Sequence, residues 1–326
     1  MKSLYTAKTK KRFLLLGGSG LIGSWLGEAL ASEGNEVLSV GRSPREALIP
    51  FSGGGSIRNI VSDYFSPSHN SSMLDDIDTV FHLLWTTVPV TSERDPARDI
   101  ATNFEGCKRL ARECVAHGVR RLFFFSSGGT VYGEPDELPL SEESRTNPRS
   151  AHGACKLAAE RYLVSFASEN PLQVVIIRPS NVYGRRELPN RLQGIVEVAL
   201  SRALSRSTIQ IWGYRDAVRD YIHASDVARA LSLLSEKEAL PSIFNVGSGV
   251  GHTTEEVLNL VSRAIGCPLK VEYTNKPAAF DLRRNVLDIS KLKSCVDWQP
   301  QIELEQGIGS VLEQIRAAQP DNVIGL

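Results

Sequence analysis

Three glycines, Gly17, Gly20 and Gly23, recur every third residue directly after an apolar run and at the start of a helical pattern. A turn without side chains lets backbone amides and the positive end of a helix approach a pyrophosphate closely. The segment Gly17-Gly18-Ser19-Gly20-Leu21-Ile22-Gly23 therefore predicts a dinucleotide-binding turn. The alternative is a packing turn without a ligand, which the position after the first strand disfavours.

The end of the second apolar run bears on which nicotinamide dinucleotide such a turn would hold. An acidic residue there accepts both ribose hydroxyls of NAD, whereas a basic residue accommodates the 2′-phosphate of NADP. Residues 36–40 are followed by Arg42 and Arg45, and the acid is absent. The two arginines favour NADP. The alternative is that both arginines are solvated and that backbone contacts bind NAD. Asp63, after the third run, is a candidate acceptor for the adenine amino group or an exposed strand-end aspartate.

Hydrophobic periodicity predicts the elements that position these residues. As far as residue 178, apolar runs of four to six residues alternate with stretches of helical period, which is typical of βαβ units around a parallel sheet. We expect an α/β fold with a doubly wound parallel Rossmann sheet. The predicted strands cover residues 13–17, 36–40, 57–61, 79–84, 121–126 and 173–178, and the predicted helices cover residues 21–32, 96–117 and 149–168.

After residue 178 this alternation ends, which predicts a smaller C-terminal α/β substrate domain over one end of the sheet. We expect residues 1–178 with about 216–240 to form the NAD(P)-binding domain, and about 179–215 with 241–326 to form the second domain. The elements predicted here are a helix over 226–235, a strand over 243–246, and a helix that a capping box at Thr253 and Glu256 opens and that runs to about Ile265.

Composition excludes several classes of protein. The 326 residues include 37 Lys and Arg and 37 Asp and Glu, a balance that polyanion-binding proteins rarely show. The five cysteines are scattered without a CxxC pair, which disfavours a disulfide framework or a zinc site and favours a reducing cytoplasm. The six histidines have no metal-ligand spacing, so we expect no metal. The basic start precedes only four apolar residues, too few for a signal peptide, and no stretch is long enough to span a membrane.

Two segments carry a resemblance to a known family. Residues 123–133 read FFFSSGGTVYG, and residues 150–160 read SAHGACKLAAE. At these residues the chain resembles the extended short-chain dehydrogenase/reductase family, specifically its nucleotide-sugar epimerases and dehydratases. Further matching segments are FHLL at 81–84, Asn103 in TNFEG, RPSNVYG at 178–184, WGY at 212–214, VRDYIH at 218–223, FNVGSG at 244–249 and LDISK at 287–291.

The resemblance implies that a hydride passes from a sugar carbon to nicotinamide while a Tyr phenolate removes the hydroxyl proton. A Lys four residues later lowers the pKa of that Tyr, and a Ser or Thr hydrogen-bonds the sugar oxygen. In this chain Lys156 is present, but His152 stands at the Tyr position and Gly128 at the Ser or Thr position. The nearest hydroxyls are Ser127 and Thr130. A neutral imidazole is able to accept the hydroxyl proton, so His152 is the candidate proton carrier.

The resemblance also implies further binding residues. Leu83 would contact the cofactor, and Asn181, Asn190 and Arg219 would contact the nucleotide sugar. A phosphate-binding arginine is expected near Ala278 and is missing, so Arg283 or Arg284 is the candidate replacement. The alternatives are structural: Arg219 pairs with Asp220 or Asp226, Asn181 closes a turn, and the loop at Asn190 binds nothing. Tyr183 and Trp212 are expected to be packing residues; the alternative is that they stack on the base.

Three functions remain open. We expect an NAD(P)-dependent epimerase of the UDP-hexose 4-epimerase type, a cytoplasmic homodimer that supplies sugar precursors for polysaccharides. Dimerisation would use the helices near residues 96–117 and 149–168. The second possibility is an NADP-dependent reductase of a 4-keto nucleotide sugar, which Arg42 favours. The third is a catalytically impaired nucleotide-binding homologue, since the Tyr and the Ser are both absent. No nucleic-acid or membrane partner is expected.

Overall fold

The computed structural model describes residues 10–42, 48–66, 69–184, 194–274 and 278–318. The strands are β1 (Arg12–Leu16), β2 (Glu36–Gly41), β3 (Leu48–Pro50), β4 (Ser56–Val61), β5 (Thr79–His82), β6 (Arg121–Phe125), β7 (Gln173–Pro179), β8 (Asn181–Tyr183), β9 (Ile209–Ile211), β10 (Val218–His223), β11 (Ile243–Val246), β12 (Gly251–Thr253), β13 (Val271–Tyr273) and β14 (Arg284–Asn285). The helices are α1 (Leu21–Ser32), α2 (Pro89–Arg94), α3 (Pro96–Asp99), α4 (Glu105–Ala116), α5 (Ala151–Ser168), α6 (Ile195–Leu204), α7 (Ala224–Ser235), α8 (Thr254–Ile265), α9 (Ser290–Cys295) and α10 (Leu304–Ala318). A 3-10 turn spans Ser71–Leu74, and a π-helix spans Ile100–Phe104.

Eight strands form the main sheet, in the order β11-β7-β6-β5-β1-β2-β4-β3. Seven of them are parallel, and β3 runs antiparallel to β4 at one edge. The chain order changes direction between β1 and β5, which opens a crevice at the carboxyl ends of these two strands. This confirms the predicted doubly wound parallel sheet and places the glycine turn at the crevice.

Both faces of the sheet are buried at its centre, whereas the edge strands β3 and β4 are partly exposed. Phe13 and Leu15 point to one core, which α1, α7 and α9 cover. Leu14 and Leu16 point to the opposite core, which α4 and α5 cover. Because successive side chains of a strand point to opposite faces, a strand buried on both faces is a continuous apolar run.

A third core lies outside the main sheet. It joins α6, α8 and α10 with strands β9 and β13, which pair with each other. Between this core and the main sheet, β10 pairs with β8, β12 and β14. The capping box at the start of α8 is present as predicted, with Thr253 accepting from the Glu256 amide and Glu256 accepting from the Thr253 amide.

The structure differs from the predicted division of the chain at two places. Strand β11, which we assigned to the second domain, pairs in parallel with β7 at the end of the main sheet. Strand β10, which we assigned to the nucleotide-binding domain, pairs outside that sheet. The reason is that the residues of a short strand do not specify which sheet it joins, and the choice depends on the edge that is open in three dimensions. The predicted helix over 96–117 is divided into α3, the π-helix and α4.

Within the described ranges, no helix is both long enough and apolar enough to span a membrane. The side chains of those same ranges form no group of three or more His, Cys, Asp or Glu suited to a metal ion.

Candidate active site

The glycine turn between β1 and α1 is shaped by backbone contacts that leave no room for side chains. Gly17 has a φ of +92°, a region that favours glycine, and its amide donates to the Val40 carbonyl at 2.8 Å. A Cβ at Gly23 would lie 2.4 Å from the Gly17 oxygen. Gly20 caps α1 without a side-chain hydrogen bond. Since the first-turn amides of a helix have no partner within the helix, the turn presents free donors to an anion.

The end of β2 is built from small residues. A Cβ at Gly41 would lie 2.5 Å from Ser19 Oγ, so a carboxylate side chain at this position would require Ser19 to move. Arg42 follows and is exposed. Asp63 lies two residues beyond the end of the neighbouring β4, is exposed, and accepts a hydrogen bond from the Phe65 amide at 3.0 Å. The ribose and adenine roles of Arg42 and Asp63 remain predictions. Arg45 lies outside the described residues.

Leu83 lies against the glycine turn. Its amide donates to the Leu16 carbonyl at 2.9 Å, which continues the β1–β5 pairing past the end of β5. A Cβ at Gly17 would lie 3.4 Å from Leu83 Cβ and 3.1 Å from Leu84 Cδ2. Leu21 and Ile22 begin α1, and Ile22 packs against the core on the α1 face of the sheet. Leu83, which follows β5, and the glycine turn, which follows β1, therefore meet in one crevice.

His152 occupies the first turn of α5, where Ser150 caps the helix by accepting from the Gly153 amide at 3.0 Å. Its side chain is buried, with Nδ1 3.4 Å from Thr87 Oγ1 and the ring edge-on to Trp85 at a centroid distance of 6.0 Å. Burial, and then the nearby Lys156 charge, lower the pKa of His152 from 6.5 to about 4. The imidazole is consequently neutral near pH 7.

Lys156 lies one turn further along α5 and is also buried. Its Nζ donates to the Phe125 carbonyl at 2.5 Å and lies 3.9 Å from the centroid of the Trp85 ring. A carbonyl oxygen and an aromatic face both stabilise an ammonium. Burial nevertheless lowers the pKa of Lys156 from 10.5 to about 8. The site therefore holds a neutral imidazole and an ammonium on the same helix near pH 7.

The candidate hydroxyls lie on the turn that follows β6. Among the described residues, Thr130 Oγ1 and Ser126 Oγ are buried without a hydrogen-bond partner, whereas Ser127 is half-buried. The Thr130 carbonyl lies beside α5, since a Cβ at Gly153 would be 2.8 Å from it. Buried hydroxyls are normally hydrogen-bonded, so these two are suited to a ligand. The sequence prediction named Thr130 and Ser127, and it did not include Ser126.

Gly128 has no room for the serine that the resemblance places there. A Cβ would lie 2.7 Å from Leu287 Cδ1 and 3.0 Å from the Pro179 oxygen. Leu287 is fully buried against Val131 and Tyr132. The side-chain space is therefore occupied by the protein itself, and the absence of a hydroxyl at Gly128 is built into the packing.

A cleft of about 790 Å³ lies beside the third core. Asn181 Nδ2 donates there to the Asp220 carbonyl at 3.0 Å. Trp212 is 68% exposed because it lies beyond the end of β9, so the expectation that it packs was wrong, and the stacking alternative remains a prediction. The side chains that line this cleft include Asn181, Tyr183, Gln210, Trp212, Arg219 and Asp281.

Arg219 also lines the cleft. Its guanidinium donates to the carbonyls of Val218 at 2.9 Å and Leu282 at 2.6 Å, and burial lowers its pKa. Asp220 accepts instead from Ser180 and Ser248, and Asp226 pairs with Arg229. Within the described part of the chain Arg219 has no carboxylate partner at salt-bridge distance, which leaves its charge for an anionic ligand.

Of the predicted substrate residues Asn190 and Arg283, only Arg283 lies within the described ranges. Arg283 directly precedes β14 and is exposed; its guanidinium stacks on Tyr214, which lines the cleft, at 4.1 Å and lies 3.5 Å from Asp216, so its phosphate-binding role remains a prediction. Asn190 lies outside the described residues. Tyr183 is buried in the third core, as expected of a packing residue.

Two residues near the His152–Lys156 pair were not predicted. Trp85 contacts both members of the pair, and Asp99 is a buried carboxylate on α3, which packs against α5. A tryptophan shortly after a strand and an acid four residues before Asn103 are visible in the sequence, but neither carries a signal that separates it from ordinary packing or surface positions.

Comparison with known proteins bears on this geometry. The chain matches the NAD dependent epimerase/dehydratase family over residues 13–247. It is similar to the UDP-glucose 4-epimerase of Mycolicibacterium smegmatis, with 33% identity over 311 residues that cover 94% of this chain and 98% of that protein. It is similar in structure to the UDP-glucose 4-epimerase of Thermotoga maritima with UDP-glucose, with a TM-score of 0.83, 30% identity, and coverage of 94% and 99%. The Thermus thermophilus UDP-glucose 4-epimerase in complex with NAD is similar, with a TM-score of 0.82, 31% identity, and coverage of 94% and 99%.

Proposed function

Because the chain belongs to the NAD dependent epimerase/dehydratase family, we propose that it is a UDP-hexose 4-epimerase that uses NAD and carries His152 as its proton carrier. The observation that supports this most directly is the buried pair on α5, a neutral imidazole one helical turn from an ammonium. Relatives that match nearly the whole chain include UDP-glucose 4-epimerases, which supports the substrate class.

The crevice fits a dinucleotide. A Cβ at Gly18 would lie 2.3 Å from Ser39 Oγ and one at Gly23 would lie 2.4 Å from the Gly17 oxygen, so the turn packs tightly against β2 and carries no side chain at these positions that would cover a pyrophosphate. The amides at the start of α1 would hold the pyrophosphate, and Leu83 would flank it. When bound, nicotinamide supplies the acceptor and later the donor of the hydride on the sugar carbon.

The protein residues would then move and hold protons. In the tautomer in which Nδ1–H donates to Thr87 Oγ1, Nε2 of His152 would accept the proton of the sugar hydroxyl and return it after the hydride has come back to the opposite face. Lys156 would stabilise the developing negative charge on the sugar oxygen. Thr130, with its unpartnered hydroxyl, would orient that oxygen.

The diphosphate of the substrate would bind in the cleft. Arg219 has no carboxylate partner among the described residues, and Asn181 lies on the strand that pairs with β10. Trp212, exposed at the cleft, would cover the base by stacking. These three residues lie on β8, on β10 and beside β9, so the cleft is formed by the elements that the main sheet does not use.

A second candidate function is an NADP-dependent reductase of a 4-keto nucleotide sugar. Arg42 is exposed directly after β2, and position 41 is a glycine instead of an acidic residue. A reductase must release its oxidised cofactor at each turnover, whereas an epimerase regenerates it in place. Cofactor retention therefore separates the two functions.

We would denature the purified protein and identify any released nucleotide by mass spectrometry. We expect near-stoichiometric NAD from the wild type and none from Gly23→Ala, whose Cβ would lie 2.4 Å from the Gly17 oxygen. The control Gly309→Ala is expected to keep its NAD, because a Cβ there has no atom within 4 Å. An empty protein that binds NADPH would favour the reductase. An empty protein that binds neither dinucleotide, together with no conversion of UDP-glucose to UDP-galactose, would favour an impaired homologue.

We also propose a cytoplasmic homodimer that supplies polysaccharide precursors. Five cysteines are free and three of them are buried, which suits a reducing compartment. Helices α4 and α5 pack side by side and would form the dimer surface. Light scattering on the purified protein would reveal a monomer if this assignment is wrong.

A further inference from the structure

Proton transfer to His152 creates an electrostatic problem for the buried pair. Protonated, the imidazole would lie one helical turn from the Lys156 ammonium, with both side chains buried. Two like charges at such a separation disfavour each other, and burial increases the cost. A neighbouring negative charge is therefore required if both groups are to function.

Most of the titratable groups that face the pair carry no free charge. Burial raises the pKa of Cys107 on α4 and of Cys155 on α5 to about 12, so both thiols are neutral near pH 7. Burial lowers the pKa of His82, at the end of β5, to about 3, so this imidazole is neutral as well. Glu160 is charged, but it accepts from Arg178 at 2.6 Å in a buried ion pair, which compensates it.

Asp99 is the exception. Its side chain is 1% exposed, and its oxygens accept hydrogen bonds from Ser92 Oγ and from Asn103 Nδ2, the latter at 2.7 Å. Within the described part of the chain it forms no salt bridge, although it attracts both His152 and Lys156. A buried carboxylate held by neutral donors and lacking a contact cation acts on the charges around it.

Two short paths connect Asp99 with the pair. It hydrogen-bonds the side chain of Cys155, which directly precedes Lys156 on α5. On the other side, Asn103 Nδ2 donates to Thr86 Oγ1 at 2.9 Å, and the next residue, Thr87, contacts His152 Nδ1. Asp99 is thus tied to α5 and to the loop after β5, the two elements that hold the imidazole.

We infer that Asp99 is a positioning residue whose negative charge keeps Lys156 protonated and allows His152 to accept a proton beside it. The carboxylate takes the electrostatic place of an anionic side chain at position 152, where this chain has a neutral one. This inference rests on the proposed function for its catalytic consequence. The effect of the Asp99 charge on the protonation of Lys156 does not depend on that function and is measured separately.

The test uses Trp85 as a reporter of the Lys156 charge. The indole Nε1–H is buried without a hydrogen-bond partner among the described residues, and the ring lies 3.9 Å from Nζ, so its ¹H–¹⁵N NMR signal responds when the ammonium is lost. Trp85→Phe assigns the signal, and Lys156→Met removes its titration. In the wild type we expect a midpoint near pH 8, from the pKa of about 8 of Lys156.

Asp99→Asn keeps the shape of the side chain and removes its charge. We expect it to lower the midpoint by roughly one pH unit, the effect of an opposite charge at close range. The matched control is Asp95→Asn, the same substitution on the exposed aspartate that caps α3. An unchanged midpoint in Asp99→Asn overturns the inference. Equal shifts in both variants also overturn it, because the effect would then be a general one of surface charge.

Activity supplies the second readout. Asp99→Asn is expected to lower kcat with little change in KM and to move the alkaline limb of the pH profile to lower pH, while Asp95→Asn does neither. If the wild type shows no epimerase activity but the midpoint shifts, the proposed function fails and the electrostatic role stands. If turnover is normal and the midpoint does not move, the inference fails and the proposed function stands.

If Asp99→Asn does not fold, a reciprocal measurement on the wild type tests the same inference. In wild-type protein labelled with ¹³C-aspartate, one buried carboxyl signal is expected to shift at the Lys156 midpoint, and the shift is expected to vanish in Lys156→Met. Absence of any such shift in the wild type overturns the inference without the use of Asp99→Asn.

Discussion

The burial of His152 predicts an unusual pH profile for the enzyme. A histidine that acts as proton acceptor must be neutral, and a solvated imidazole with a pKa near 6.5 loses that state in mildly acidic solution. In this structure the His152 side chain is 9% exposed, and burial with the Lys156 charge lowers its pKa to about 4. We therefore expect the acid limb of kcat/KM to lie near pH 4.

The two cases differ most at pH 5. With a pKa near 4, about 90% of His152 remains neutral, whereas with a pKa of 6.5 only about 3% would be neutral. The predicted rate at pH 5 is thus close to the plateau, and a solvated histidine would reduce it about thirtyfold. The alkaline limb is expected near pH 8, where Lys156 loses its proton.

The assay measures kcat/KM for the conversion of UDP-glucose to UDP-galactose from pH 4.5 to 9.5, since this ratio reports groups of the free enzyme. This range includes pH 5, where a pKa of about 4 and a pKa of 6.5 give different rates. His152→Ala is expected to lower the plateau by roughly 10²- to 10⁴-fold, the usual loss for a positioned general base. The matched control is His252→Ala, a half-buried histidine on β12, which pairs with β10 outside the main sheet.

Two results would refute this reasoning. An acid limb near pH 6.5 would mean that the imidazole is solvated when it acts. An unchanged rate in His152→Ala would remove its catalytic role altogether.

Three other predictions concern packing, acid stability and substrate binding. Gly128→Ala is expected to destabilise the fold by about 1–3 kcal/mol, because its Cβ meets Leu287 Cδ1 at 2.7 Å; Gly129→Ala, whose Cβ would have its nearest contact at 3.8 Å, serves as the control in urea unfolding. Because His82 and His152 have folded-state pKa values of about 3 and about 4, below the 6.5 of the unfolded chain, stability is lost as the pH falls below 6.5. By pH 5 the free energy of unfolding falls by about 2 kcal/mol for each histidine. His82→Gln is expected to make the free energy of unfolding depend less steeply on pH. A free energy of unfolding that does not change between pH 6.5 and 5 would contradict the burial of both rings. Arg219→Met is expected to weaken UDP-sugar binding by roughly 10- to 100-fold, as for a lost charge-assisted hydrogen bond. Calorimetry measures the affinity, and Arg215→Met is the exposed control. Equal affinities of the wild type and Arg219→Met would exclude Arg219 from the diphosphate site.

Local patterns predicted the elements of the nucleotide-binding half closely. The helix over residues 21–32 is α1 without a change of bounds, and the glycine turn lies between it and β1. Strands buried on both faces appear as continuous apolar runs, and the short turns that join them leave few possible arrangements. The capping box at Thr253 and Glu256 was visible because both partners are three residues apart in the chain.

The placement of β10 and β11 depended on the folded sheets. Strand β11 is four residues long, and its apolar side chains suit any open strand edge. Hydrophobic pattern states which faces are buried, but not which neighbour buries them. The same limit explains Trp212, whose exposure follows from its place past the end of β9 at the cleft.

The chain itself specified the chemistry available at the site: an imidazole at position 152, an ammonium at 156, and no hydroxyl at 128. Only the tertiary structure decided how these groups behave. Burial makes the imidazole neutral, Leu287 occupies the space beside Gly128, and Asp99 reaches α5 from a helix more than fifty residues earlier in the chain. Protonation depends on desolvation and on charges close in space, and residues distant in sequence supply both.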